Sequence, residues 1–219
     1  MLVLAGPGSG KTRVVTSRVA HLLDHGISPH NILALTFTNK AAEEMRQRVE
    51  RIRPGQPVWM STFHRFCSQL LRRYAHFLGL EQNFRIYDSA DSLKALKTVI
   101  EDNGIELHRV TPGQIVRTIS NAKNELATPE QFAAVASSPR ETLTAEIYPA
   151  YQERLRQSNA VDFDDLLMHM ALLLRDNNEL RSDLDDRFHF ILVDEYQDTN
   201  LAQYTIVRAL SIDLSLIHI

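Results

Sequence analysis

Apolar residues along this chain fall into two alternating textures. Leu2–Ala5, Asn31–Phe37 (NILALTF) and Pro57–Met60 are short unbroken runs that read as buried strands. Between them, apolar positions recur at helical spacing. Val15, Val19, Leu22 and Leu23 mark a helix from Lys11 to about His25, stopped by Gly26 and Pro29. Ala42, Met45, Val49 and Ile52 mark a second that ends before Pro54-Gly55, and Thr62–Leu78 a third that ends at Gly79. Strand, loop and helix repeated three times predict an α/β fold, a parallel sheet with helices on both faces.

From about Asp88 the pattern is almost purely helical. Starts are marked at Ser89, Thr111 with Pro112, Thr128 with Pro129 and Ser138 with Pro139, each a cap residue followed by proline or acids. Another helix opens at Asp162, with Asp165 at its third position. Strand texture returns in Phe188–Val193, and a helix follows from about Leu201. The organisation expected is one α/β domain built from residues 1–85 and 166–219, interrupted by an all-helical insertion over 86–165.

The loop after the first strand carries chemistry. Ala5-Gly6-Pro7-Gly8-Ser9-Gly10-Lys11-Thr12 has the spacing of a P-loop, with Ala at the position usually held by the first Gly. Small residues let backbone N–H groups curl around phosphate oxygens, and the helix N-terminus behind them adds its dipole. Lys11 supplies a cation and Thr12 a hydroxyl for Mg²⁺. A partner segment ends the Phe190-Ile-Leu-Val run in Asp194 and Glu195. Two carboxylates after a buried strand lie at the edge of a parallel sheet where ligands of such folds bind. Asp194 is expected to hold the Mg²⁺ of bound ATP, and Glu195 to orient or deprotonate the attacking water. The pair of motifs makes the fold a P-loop NTPase of RecA-like type, with ATP and Mg²⁺ as cofactors.

Composition restricts the remaining possibilities. A single cysteine, Cys67, cannot build a disulfide framework, so a reducing, cytoplasmic compartment is expected. No apolar run approaches the roughly 20 residues of a membrane span, and the first residues lack the basic and apolar regions of a signal peptide. The net charge of −3 is unevenly distributed. Residues 40–85 carry nine basic against four acidic side chains, whereas residues 86–165 carry eight against thirteen. An anionic polymer would favour the first 85 residues.

Two segments there offer groups suited to such a polymer. Thr36-Phe37-Thr38-Asn39-Lys40 closes the second strand with hydroxyls, an amide, a cation and a phenyl ring, the set used for sugar-phosphate contacts and base stacking. The same residues equally suit a core Phe with helix-capping Thr and Asn. Ser61-Thr62-Phe63-His64-Arg65-Phe66-Cys67 closes the third strand; Phe63 and Phe66 read as core, while His64 and Arg65 could face phosphate. Asp162-Phe-Asp-Asp-Leu-Leu reads most simply as a capped helix start.

AGPGSGKT, LALTFTNKAAEEM, STFHRFC, VDFDDLL and FILVDEYQDTNLAQY, in this order and spacing, resemble the UvrD/Rep/PcrA-type superfamily 1 DNA helicases from residue 1 to about Leu210. The resemblance implies an ATP-driven motor that moves 3′ to 5′ along single-stranded DNA and parts the duplex at a single-strand/double-strand junction. It implies that Lys11 and Thr12 hold phosphate and Mg²⁺ and that Arg13 stacks on adenine. It places Phe37 against a base, with Thr36, Asn39, Thr62 and His64 lining the single-strand track. Gln197 and Asp198 lie where the family couples nucleotide state to DNA. The insertion resembles subdomain 1B projecting from motor core 1A, with Lys94, Lys97 and Lys123 as its candidates for duplex contact.

The family's chain continues on both sides of this one. A Gln-containing adenine-reading segment, a GDxDQSIY-like segment and a second motor domain with an arginine finger have no counterpart here. The chain is therefore expected to be a front portion that hydrolyses ATP slowly and does not unwind DNA by itself. Leu214-Ser-Leu-Ile-His-Ile219 can be encoded by CTGTCTCTTATACACATC, a transposon end used as a sequencing adapter, and this tail is expected to be translated adapter. Two other functions remain compatible with the motifs: a nucleotide-gated DNA-binding module, and the motor subunit of a helicase–nuclease.

Overall fold

The computed structural model describes residues 11–210 and 215–218. In chain order the elements are α1 (Lys11–Asp24), β1 (Ile32–Thr36), α2 (Asn39–Ile52), β2 (Trp59–Thr62), α3 (Phe63–Arg73), β3 (Arg85–Tyr87), α4 (Ser89–Asp102), α5 (Pro112–Asn124), α6 (Pro129–Val135) and α7 (Pro139–Gln157). They continue as β4 (Ala160–Asp162), α8 (Phe163–Asp176), α9 (Asn178–Arg187), β5 (Phe190–Val193), α10 (Leu201–Ala209) and β6 (Ser215–His218). The strand expected at Leu2–Ala5 lies outside the described residues.

The chain divides into two compact units. One contains the described residues up to Phe66, Leu173–Thr199 and those from Gln203 on. Its sheet is parallel throughout, in the order β2-β1-β5-β6. β1 is buried along its whole length, as a central parallel strand covered on both faces must be. Ile32 and Ala34 pack with Val15, Val19 and Leu22 of α1 and with Met45 and Val49 of α2. Trp59, Phe66 and Phe188 form an edge-to-face aromatic cluster with centroids 5.3–6.0 Å apart. β6 pairs with β5 in parallel register, Phe190 opposite Ser215 and Val193 opposite His218. An open strand edge is a template for any apolar segment that can extend along it, whatever that segment's origin.

Helix ends in this unit follow their local chemistry. Thr38 caps α2, its hydroxyl accepting from the Ala41 N–H at 3.1 Å. α1 ends in a Schellman turn: the Gly26 N–H donates to the Leu23 carbonyl and the Ile27 N–H to that of Leu22. That turn requires positive φ, and Gly26 has +79°.

The second unit comprises Cys67–Leu172 with Asn200–Ala202. Leu96 and Val99 of α4, Ile115 and Ile119 of α5, and Ile147, Tyr148, Tyr151 and Leu155 of α7 form its core. Three of its helices open with reciprocal capping boxes, Thr111 with Gln114, Thr128 with Gln131 and Ser138 with Glu141. α4 starts at Ser89, but the cap is the preceding Asp88, whose carboxylate accepts from the Ala90 and Asp91 N–H groups. The ends of the helical run are themselves short strands. β3 and β4 pair in parallel, from Arg85 opposite Ala160 to Tyr87 opposite Asp162. At three residues each they are too short to show a sequence period.

Lys123 corrects an expectation. Its side chain is 0% exposed, with Nζ 2.6 Å from Asp162 Oδ2 and 2.7 Å from Asp165 Oδ1, so it cannot reach DNA phosphates. The same two aspartates cap α8 reciprocally: Asp162 accepts from the Asp165 N–H, and Asp165 from that of Asp162. Tyr151 donates its hydroxyl to Asp162 at 3.0 Å, and Gln152 its amide to Asp165 at 3.1 Å. Two buried carboxylates around one buried ammonium compensate a charge arrangement that would be very costly if unpaired.

Candidate active site

Because β1, β2 and β5 run parallel, the residues after each of them emerge at one edge of the sheet. Thr36 lies opposite Thr62, and Leu35 opposite Val193. The Asp194 N–H continues the ladder by donating to the Leu35 carbonyl at 2.9 Å. This register brings the ends of the TFTN, STFH and VDE segments to the carboxyl edge, the ligand edge of such sheets.

Thr12, in the first turn of α1, reaches this edge as well. Its hydroxyl donates to Asp194 Oδ2 at 3.2 Å. Asp194 is 2% exposed. A hydroxyl and a carboxylate oxygen at this separation suit a small hard cation. In an octahedron with Mg–O bonds of about 2.0–2.1 Å, neighbouring ligand oxygens lie about 2.9 Å apart. The Thr12–Asp194 pair therefore fits Mg²⁺, with the carboxylate as the charged ligand. Ala5, Gly6, Pro7, Gly8, Ser9, Gly10 and the Lys11 side chain lie outside the described residues. Arg13 is exposed on α1.

Glu195 has φ +55° and ψ +42°, the left-handed region that a side chain occupies at a cost of about 1–2 kcal/mol. Such strain persists where the surroundings impose it, characteristically at working sites. The turn swings the chain out of β5 into a short 3-10 segment, Tyr196–Asp198. Gln197 donates its amide both to Glu195 Oε2 and to Asp198 Oδ2, so these three polar side chains form a connected set beside Asp194.

The residues expected to meet single-stranded DNA occupy the same edge with different exposures. Thr36 is 2% and Thr62 6% exposed, so neither hydroxyl is presented to solvent. Thr62 instead caps α3, accepting from the Arg65 N–H at 3.3 Å. Asn39 is exposed in the first turn of α2, and His64 is half-buried at the start of α3. Phe37 is half-buried, its ring 5.7 Å from that of Phe63 and tilted by 54°. Phe63 and Phe66 are core, as their spacing predicts. The Glu195 backbone and the Lys123 cluster were not foreseen. Only the cluster had a signal, since Ile115, Ile119 and Lys123 share a helical stripe.

Comparison with known proteins agrees with this geometry. The chain matches the family described as UvrD/REP helicase N-terminal domain over residues 1–219. It is 46% identical over 214 residues to the ATP-dependent DNA helicase PcrA of Staphylococcus epidermidis and 44% identical over the same length to that of Staphylococcus aureus. Each alignment covers 96% of this chain, and the chain spans 29% of the length of these relatives. With its parallel sheet, its Thr12–Asp194 edge and this match along its full length, the chain belongs to the UvrD/REP helicase N-terminal domain family.

Proposed function

We propose that the chain forms the nucleotide-binding and strand-contacting part of an ATP-dependent DNA helicase that moves 3′ to 5′ on single-stranded DNA toward a duplex junction. The observation that carries this reading is the approach of Thr12 to Asp194 at the ligand edge of the sheet. Residues 1–85 and 166–219 act as the motor part, and 86–165 as an inserted subdomain.

Each residue has a definite task in this reading. The P-loop backbone, Ala5 to Gly10, wraps the phosphates, and Lys11 neutralises them. Thr12 and Asp194 hold the metal ion, and Arg13 stacks on the adenine. Bound Mg²⁺ would supply charge neutralisation for the nucleotide phosphates. Glu195, held by Gln197, orients the attacking water and accepts its proton. Phe37 lays one ring face against a base, while Asn39 and His64 approach the sugar-phosphate chain. Thr36 and Thr62, both buried, contribute by fixing the strand ends from which Phe37 and His64 project.

The test uses the complete protein containing this chain and forked or tailed duplexes. A 3′-tailed duplex is expected to be unwound with ATP and Mg²⁺ and a 5′-tailed one is not; equal unwinding of both overturns the polarity. Lys11→Ala is expected to abolish DNA-stimulated ATP turnover, and retained turnover overturns the phosphate-loop assignment. The 219-residue chain alone is expected to bind nucleotide without unwinding.

A further inference from the structure

The second unit carries a cleft of about 710 Å³ between β3, α4 and the last turn of α7. Four cations line it, Arg72, Arg85, Lys94 and Arg154, against one acid, Asp91. Arg85, Lys94 and Arg154 are exposed, and none of them makes an ion pair among the described residues. Arg72 is fixed in place. Its Nη1 donates to the Gln82 and Phe84 carbonyls at 2.9 and 3.1 Å, and its guanidinium lies 4.6 Å from the centre of the Phe84 ring. Those contacts orient the group without neutralising it.

The surroundings make this concentration of charge conspicuous. Residues 67–172 hold fourteen acids and eleven bases, yet the cleft gathers four cations with a single carboxylate. Cations gathered in a concave site focus a positive potential that a polyanion satisfies. Guanidinium and ammonium groups are the usual donors to phosphate oxygens.

We propose that this cleft binds the phosphodiester backbone of nucleic acid, with Arg85, Lys94 and Arg154 each taking a phosphate beside the fixed Arg72. The inference rests on the reading of the chain as part of a DNA-acting protein and adds a contact surface within the second unit. Contacts of this kind position the strand without reading its sequence.

The test measures binding of a fluorescent single strand and of a hairpin duplex to the 219-residue chain, without nucleotide, over a range of KCl concentrations. The variant Arg85→Gln/Lys94→Gln/Arg154→Gln is compared with Arg109→Gln/Arg117→Gln/Arg140→Gln, which removes three exposed cations outside the cleft. Each lost phosphate contact lowers the slope of log K against log salt by about 0.9 for duplex and about 0.7 for a single strand. The cleft variant is expected to lose about 2–3 from the slope with whichever probe occupies the cleft, and the control variant to keep it. Should the triple variant fail to fold, each single substitution is expected to remove one contact's share. An unchanged slope in the cleft variant, or an equal loss in the control, overturns the cleft while leaving the sheet-edge reading intact. Failure of the unaltered chain to bind either probe overturns the cleft and the strand-contacting role together.

Discussion

Thr12 and Asp194 are separated by 182 positions in the chain and meet at 3.2 Å, hydroxyl donating to carboxylate. The contact closes the first turn of α1 onto the end of β5. Its oxygen spacing is near the ligand edge of a Mg²⁺ octahedron, so in the proposed site it is the negative charge of Asp194 that would hold the ion. Asp194→Asn keeps the size and one acceptor but removes that charge. Mg²⁺ is expected to strengthen binding of a fluorescent ATP analogue to the unaltered chain and to lose about tenfold of that effect in the variant, the scale of one charge-assisted interaction. Titrations with and without Mg²⁺ read this directly, and an undiminished Mg²⁺ effect would remove Asp194 from the metal site.

The parts of the fold legible in the sequence are those with a period. β1 and β5 announce themselves as unbroken apolar runs because both faces of a parallel strand are covered, and the capping boxes at Thr111, Thr128 and Ser138 mark their helices by local hydrogen bonding. The position of Asp194 and Glu195 at a strand end was legible because the apolar run Phe190–Val193 stops directly before them. β3 and β4 were not, since three residues show no period and their pairing joins positions 75 apart, as Arg85 and Ala160 do. Lys123 was misread for a different reason. A lysine is ordinarily a solvated cation, and only its place in the Ile115–Ile119–Lys123 stripe marked it as buried.

Phe37 separates packing from strand contact. Its ring touches Phe63, a contact worth about 0.5–1.5 kcal/mol, while a base stacked on it is worth about 1–3 kcal/mol. Phe37→Ala is expected to weaken single-strand affinity about 5- to 150-fold on that scale. Phe37→Leu, which keeps apolar bulk against Phe63 but offers no π-face, is expected to retain the melting temperature and still lose affinity. Full affinity in Phe37→Leu would make the ring a packing element only.

Lys123→Ala leaves Asp162 and Asp165 buried around an absent cation. Breaking a buried ion cluster by removing one partner destabilises by about 3–5 kcal/mol. Urea unfolding followed by circular dichroism is expected to show a loss of this size. The salt dependence of DNA binding by the folded fraction is expected to be unchanged, because the ammonium never reaches solvent. A stable variant with a reduced salt slope would restore Lys123 as a phosphate contact.

Asp162 gives the cluster a signature in pH. Burial, reinforced by the neighbouring Asp165 charge, pushes its carboxyl up to about 6 in spite of Lys123, against 3.8 ordinarily. Between about pH 4 and about pH 6 the folded chain therefore holds a proton that the unfolded chain has released, and stability falls as pH rises through that window. Asp165 shifts the other way. Burial opposes its charge, but Lys123 and His169 together hold its pKa below the ordinary value, so its stabilisation is lost only as pH falls below the usual carboxylate range. His169, lowered by burial, adds an opposing slope, because the unfolded chain takes up its proton first as pH falls below 6.5. The difference between the unaltered chain and Asp162→Asn isolates the first contribution, since asparagine does not titrate. Its one carbonyl oxygen keeps either the α8 cap or the contact with Lys123 and Tyr151, and losing the other shifts the whole profile without changing its slope between about pH 4 and about pH 6. Melting temperatures measured from pH 4 to pH 7 are expected to show Asp162→Asn gaining stability relative to the unaltered chain as pH rises, with the gain levelling off above about 6. Parallel profiles for the two proteins would mean that Asp162 is ionised throughout, with Lys123 outweighing its burial.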